Sequence, residues 1–380
     1  SKKRLDNVGH ALSGACVTLI VLLVATLVFM VAQHGLATFF VDAISSTALF
    51  TGTTWNPHQA DASGAPTVGA RPMIVGSFSV TLLSTLLALP FALGSAIFVV
   101  EISPRFGRTV FQPVVELVVG IPSVVYGLIG LTIVVAWCRG WSNTTGFGIF
   151  SGSIVLAVMI LPTITSLSID ALTAVPKAYR EGAYGVGASR WQTIWHVVLR
   201  AAMPSLCTAV VLGMTRAFGE ALAVQMVIGN AAQVPDGLFT PASTLTSVLT
   251  MGIGNEMMGT VYSDVLWSLA LLLLAMSFVF ISVIHFIERK GGLNVNGRLP
   301  QGAPNRAQSE KAENALARRI ALQDTFATGV LFAIVAAICV LLFSLIAYIV
   351  ASGAGKLLDV SFLTGEPEQF KEGGGIGPEL

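Results

Sequence analysis

"EGAYGVGASRWQTIW", residues 181–195, separates two long apolar runs and carries a glutamate, an arginine, two tryptophans and a cluster of Gly and Ala. Upstream, Pro176 suits the first turn of a short helix, where its missing N–H costs nothing. Glycines at 182, 185 and 187 argue against one long straight helix, since each costs about 1 kcal/mol relative to alanine. Ser189, with Gln192 three residues on, forms the capping-box start of a second helix. The segment therefore reads as helix, tight glycine turn, helix, presenting Tyr179, Tyr184 and Trp191 near small residues that permit close approach.

On either side the chain is apolar: of 380 residues, 54% are hydrophobic and 11% charged, which sets it apart from soluble domains of that length. The class is all-α integral membrane. Runs at 12–33, 73–101, 111–137, 151–173, 203–228, 263–287 and 325–351 each reach the roughly 20 residues that a helix needs to cross the hydrocarbon. The first is too long for a signal-peptide core and no small-residue cleavage pattern closes it, so it reads as a retained span. Pro90, Pro122, Pro162 and Pro204 fall within the runs, which membrane helices accept when neighbours satisfy the freed backbone groups.

Basic residues set the orientation. With the N-terminus in the cytoplasm, sixteen of the 21 Lys and Arg fall on inner segments, four (Arg71, Arg139, Lys356, Lys371) on outer ones, and Arg216 inside a span. Residues 181–195 then face the cytoplasm. Cys16, Cys138, Cys207 and Cys339 are scattered and the five histidines dispersed, so spacing supports neither a disulfide nor a metal centre. A net charge of +1 offers nothing to nucleic acid.

Along the chain, residues 1–288 read as a six-helix module and 289–324 as a polar cytoplasmic linker rich in Gly, Pro, Asn and Gln. Residues 325–380 read as the first helix and outer loop of a second module. Phe50-Thr51-Gly52 in one outer loop and "FLTG" at 362–365 in the other suggest an internal repeat, a common device of transporters.

In "VVLGMTRAFGEALAVQMVIGN", Arg216 and Glu220 stand four residues apart, hence on one face of the helix. A central Arg or Asp costs about 2.5–3.5 kcal/mol on insertion scales, against about 0.3–0.6 returned by each large apolar residue. Such a pair either neutralises itself inside the bundle or faces a polar pathway. In the pathway reading, Arg216 offers planar donors to a tetrahedral oxyanion, and Glu220 accepts a hydrogen bond from the protonated oxygen of hydrogen phosphate, which sulfate lacks. Glu116 reads as a carboxylate meeting the start of the third helix, and Glu101 as interfacial.

Glu181-Gly182-Ala183, three residues, then Gly187 resembles the EAA loop of ABC importer permeases. The family continues after nine residues with Ile-x-Leu-Pro; this chain has Val197-Val198-Leu199-Arg200, and Gly182 replaces the middle alanine. "RAFGEALAVQMVIGN", "ELVVGIPSVVYGLIGL" at 116–131 and "FTGTTWNP" at 50–57 are similar to the C-type permease of phosphate-specific (Pst) ABC importers. "FLTGEP" and "GGGIGP" near the end resemble the opening of the A-type partner permease.

The resemblance implies a type I importer (MetI-like) transmembrane domain in a bacterial cytoplasmic membrane, transporting inorganic phosphate and not acting as an enzyme. Arg216 and Glu220 match the family's pathway residues. Glu181, Gly182, Ala183, Tyr184 and Gly187 fall in its coupling helix, which docks on a cytoplasmic ABC ATPase dimer (PstB-type). It further implies a phosphate-binding protein outside (PstS-type) and a second permease module (PstA-type), fused or separate. No G-x-x-x-x-G-K-[ST] occurs, so ATP and Mg are expected in the partner ATPase and no cofactor in this chain. Two alternatives stand: a permease for sulfate or molybdate, and an ATP-independent channel or secondary transporter.

Overall fold

Seven helices among the described residues are long and apolar enough to cross a membrane: Leu12–Phe40, Arg71–Ile102, Ser123–Ser142, Ile149–Thr173, Arg190–Phe218, Val261–Val283 and Gln323–Ala351, numbered here spans one to seven. They belong to a computed structural model that describes residues 2–42, 44–60, 66–257, 259–291 and 310–357. The chain is an all-α membrane protein. One small sheet, β1 (Trp55–Ala60) antiparallel to β2 (Pro66–Val68), lies between spans one and two, with Trp55 opposite Val68.

Two of the expected spans are broken. The run 111–137 splits into a helix Gln112–Val119 and span three, which starts at Ser123. Pro122 keeps Ile121 out of the helical region, and the Gly120 N–H turns back to the Leu117 carbonyl. The run 203–228 splits into a helix ending at Phe218 and a short helix Leu222–Ile228. At its other end span five begins early, at Arg190, where Ser189 and Gln192 form both bonds of the expected capping box.

The residues group into two compact units. The first comprises Ser1–Leu89, Pro122–Ile164 and Cys207–Gly292; the second comprises Pro90–Ile121, Thr165–Leu206 and Leu293–Leu380. Inside the bundle the chain passes between them at 89/90, 121/122, 164/165 and 206/207, each within three residues of Pro90, Pro122, Pro162 or Pro204. A proline removes one ladder bond and crowds the preceding turn, so each helix is weakest there.

In the first unit, span six packs on span one where Gly35 lets the backbones approach: its Ser268 hydroxyl donates to the Gly35 carbonyl (2.6 Å) and lies 2.7 Å from the Thr38 hydroxyl. With no hydrophobic driving force between helices inside lipid, close approach at small residues and such bonds help to hold them together. Met73, Phe218, Leu245, Leu266 and Leu269 belong to one buried hydrophobic cluster of this unit. Gly76 sits against the Ser243 backbone, where an added Cβ would meet the carbonyl oxygen at 2.1 Å, and the Ser77 hydroxyl accepts the Leu245 N–H at 2.9 Å. Gly76→Val therefore forces backbone apart and costs on the order of 3 kcal/mol. Its thermal unfolding midpoint in detergent falls by several degrees, whereas Gly140→Ala, which meets nothing within 4 Å, leaves it in place.

In the second unit, Leu331, Val335, Ile338, Leu342 and Leu345 of span seven are buried at three- and four-residue spacing, one apolar stripe on a helix. Leu331 and Ile334 lie beside Gly94, and Phe332 meets Phe98 edge-on at 5.5 Å. The helix that carries span seven begins at Glu310, inside the stretch that reads as linker. "EKAENALARRIAL" consists mostly of strong helix formers. The second copy of the suggested repeat, at 362–365, lies outside the described residues.

Candidate functional site

Arg216 occupies the last turn of the helix Leu199–Phe218, half-buried, with its Nη1 2.6 Å from the Thr163 hydroxyl, to which it donates. Thr163 is fourteen residues from one end of span four and ten from the other, about 21 and 15 Å at 1.5 Å per residue. The guanidinium therefore sits near mid-span. Tyr126, a buried phenol of span three, is a charged-group neighbour of Arg216.

Glu220 does not share a helix face with Arg216, because the helix has ended two residues before it. The break is well satisfied. The Glu220 N–H bonds to the Ala217 carbonyl (3.3 Å), its carbonyl accepts the Thr246 hydroxyl (2.8 Å), and its Oε1 accepts the Ala223 N–H (3.2 Å) in the first turn of the next helix. That turn has otherwise unpartnered N–H groups and favours an anion. No ion pair joins Arg216 to Glu220 among the described residues, so the self-neutralising intrahelical pair is absent. Both residues belong to one broken stretch of span, each side chain held by neutral groups.

The segment at 176–199 follows its expected outline. A helix Lys177–Gly185 starts at Pro176, Gly187 adopts φ +83, and the capped helix follows from Arg190. Glu181, Gly182, Tyr184 and Gly187 are exposed and Ala183 half-buried; nothing lies within 4 Å of a Cβ added at Gly182, Gly185 or Gly187. Trp191 and Trp195 stack at 5.9 Å. The expected coupling residues thus lie together on a small-residue surface with aromatic neighbours.

Sequence reasoning missed what ties this surface down. Glu101, at the end of span two, has a side chain that is 7% exposed and accepts from Arg180 Nε (2.9 Å) and Nη2 (2.7 Å). Arg180 also donates to the Val175 and Leu172 carbonyls at the end of span four. From the far side of the glycine turn, Arg190 donates to the carbonyls of Glu101 and Ile102. Two arginines, one in each arm of the segment, therefore grip the end of span two. Asp324 of the Glu310–Leu357 helix completes the grip, its Oδ1 accepting from the Ser189 hydroxyl (3.4 Å) and the Trp191 N–H (3.3 Å). A carboxylate is favoured at that helix start. Glu116 lies in the middle of its short helix, exposed, accepting from Gln112 (3.0 Å).

A bundle of apolar spans with charges at a mid-span break and a small-residue elbow between spans four and five defines a transport protein, and the chain belongs to the family described as "Binding-protein-dependent transport system inner membrane component", whose model matches residues 88–291. It is a permease of the Pst type. Among curated relatives, it is 48% identical over 290 residues to the "Probable ABC transporter permease protein YqgH" of Bacillus subtilis (strain 168), covering 76% of this chain and 93% of that one. It is 30% identical to the "Phosphate transport system permease protein PstC" of Mesorhizobium japonicum, covering 74% of this chain and 89% of the relative. Among solved structures, the inward-facing MetNI methionine ABC transporter overlaps 58% of this chain and 97% of its own at 18% identity, with a TM-score of 0.45.

Proposed function

We propose that this chain is the membrane-spanning subunit of an ATP-driven importer of inorganic phosphate in the bacterial cytoplasmic membrane, with its N-terminus in the cytoplasm. Arg216 and Glu220 line its translocation pathway. The observation that carries this reading is the mid-span guanidinium, which rests on a neutral hydroxyl with no carboxylate partner among the described residues. A charge this costly to bury is retained for a pathway, and the nearby relatives named for phosphate transport support that cargo. Arg216 presents its remaining donors to the charged oxygens of hydrogen phosphate. Glu220, with one oxygen committed to Ala223, accepts the phosphate hydroxyl with the other. Sulfate has no such proton and meets repulsion.

The exposed face of Glu181, Gly182, Ala183, Tyr184 and Gly187 docks on a cytoplasmic ABC ATPase dimer of PstB type, which binds ATP and Mg and does the hydrolysis. This chain itself is not an enzyme. Phosphate arrives on a PstS-type binding protein, and a PstA-type module supplies the other half of the pathway. Residues 1–288 form the C-type module, 289–324 the linker, and 325–380 the start of the second module, fused or completed by a separate chain.

The test is uptake of labelled phosphate by proteoliposomes that contain the whole complex. Uptake requires ATP, and a hundredfold excess of sulfate or molybdate lowers it less than twofold. Efficient competition by sulfate shifts the cargo to another oxyanion, and uptake without ATP favours a channel or secondary transporter.

A further inference from the structure

Arg139 has no part in the pathway described above, yet it lines a cleft of about 900 Å³ in the first compact unit, together with Thr144, Thr145, Gln225, Asn230 and Pro241. It is the one charged residue of that lining, and no carboxylate lies among them. Its Nε donates to the Thr145 carbonyl at 3.1 Å, which fixes the plane of the guanidinium. Its two terminal nitrogens make no hydrogen bond among the described residues, so a planar pair of donors is left for a ligand.

The same lining includes Asn230, held at φ +53 directly after Gly229 at φ +95. Its Nδ2 donates to the Gln225 carbonyl at 2.8 Å, which identifies the other end of the amide as oxygen. That Oδ1 is buried and has no hydrogen-bond partner among the described residues. A buried acceptor in want of a donor is costly, and native structures keep such groups where something completes them. Backbone bonds tie together residues near the lining in sequence: Gly148 N–H to the Val227 carbonyl, Phe150 N–H to Leu238, and Ala231 N–H to Ala242. An Arg fork and an unsatisfied carbonyl oxygen are together complementary to an anion that also carries a hydroxyl.

The cleft is joined to the Arg216 and Glu220 break by the helix Leu222–Ile228. The ten residues from Glu220 to Asn230 span about 15 Å at helical rise. With the N-terminus in the cytoplasm, the cleft lies on the outer side, where Arg139 is one of only four basic residues.

We propose that this cleft is a second, outer binding station for a singly protonated tetrahedral oxyanion, taking hydrogen phosphate before it reaches Arg216. Arg139 holds the charged oxygens and Asn230 Oδ1 accepts the hydroxyl. The proposal rests on the pathway reading, and the test separates the two. In proteoliposomes carrying the whole complex, the initial rate of ATP-driven phosphate uptake is measured against external phosphate for Arg139→Gln and Asn230→Gly. The glycine keeps the left-handed backbone and removes the acceptor, together with the Nδ2 bond to the Gln225 carbonyl. Each variant raises the half-saturating concentration about tenfold, while Arg71→Gln, a basic residue on the same side that does not line the cleft, leaves it unchanged. Half-saturation within twofold of wild type in both cleft variants, with Arg216→Ala inactive, overturns the outer station and leaves the pathway standing. An equal loss in Arg71→Gln also overturns it, since general attraction of anions then explains the effect. Lack of phosphate uptake by the wild-type complex overturns both.

Discussion

Arg216→Ala lowers ATP-driven phosphate uptake roughly a hundredfold while the complex still assembles and still hydrolyses ATP. Truncating one partner of a desolvated, hydrogen-bonded charge pair costs about 2–5 kcal/mol, and each 1.4 kcal/mol is tenfold, so two orders of magnitude lies inside that range. The assembly half of the prediction follows from what Arg216 does not hold. It makes one side-chain bond, to Thr163, and no ion pair among the described residues, so its loss leaves a neutral hydroxyl and not an orphaned carboxylate. Arg216→Lys keeps the charge but loses the planar fork and recovers part of the uptake, to about a tenth of wild type. Thr163→Val removes the hydroxyl that aims the guanidinium and lowers uptake severalfold with the charge in place. Uptake by Arg216→Ala within twofold of wild type removes the arginine from the pathway.

Local signals were legible in the sequence and distant pairings were not. The capping box at Ser189 and Gln192 spans three residues, and the turn at Gly187 needs only the conformational freedom of that residue; both are written where they act. Helix formers from Glu310 onward outweigh the polar composition that reads as linker. The break at Gly219–Ala221 was hidden because hydropathy continues through Ala-Phe-Gly-Glu-Ala-Leu. What stabilises it is a hydroxyl 26 residues away, on Thr246, and the Ala223 N–H taken by Glu220's own side chain. Similarly, Arg216 finds Thr163 at a separation of 53 residues, and Arg180 finds Glu101 at 79. One signal was available for the second pair: Glu101 is the only charged residue between Arg71 and Arg105, and a lone carboxylate at the end of an apolar helix calls for a cation.

That pair carries the other large expected effect. Arg180→Ala lowers phosphate uptake about a hundredfold and, unlike Arg216→Ala, lowers it by uncoupling: ATP hydrolysis by the complex continues, and transport per ATP collapses. The side chains of Arg180 and Glu101 are 17% and 7% exposed, so alanine leaves a carboxylate mostly buried without its partner. It also frees two carbonyls at the end of span four. Breaking a buried pair in this way costs about 3–5 kcal/mol, and the local consequence is that the helix Lys177–Gly185 is no longer held to span two or span four. Replacing both partners with apolar residues separates a stabilising role from a transmitting one. Arg180→Met with Glu101→Leu removes the unpaired charge, and such double replacements are often neutral or stabilising, so the thermal midpoint returns to that of wild type. Transport per ATP does not return, because the Arg180 fork no longer ties the helix Lys177–Gly185 to the end of span two. Full recovery of both quantities in the double variant reduces the pair to packing, and in the proposed importer leaves Arg190, with its grip on the Glu101 and Ile102 carbonyls, as the link from the elbow to span two.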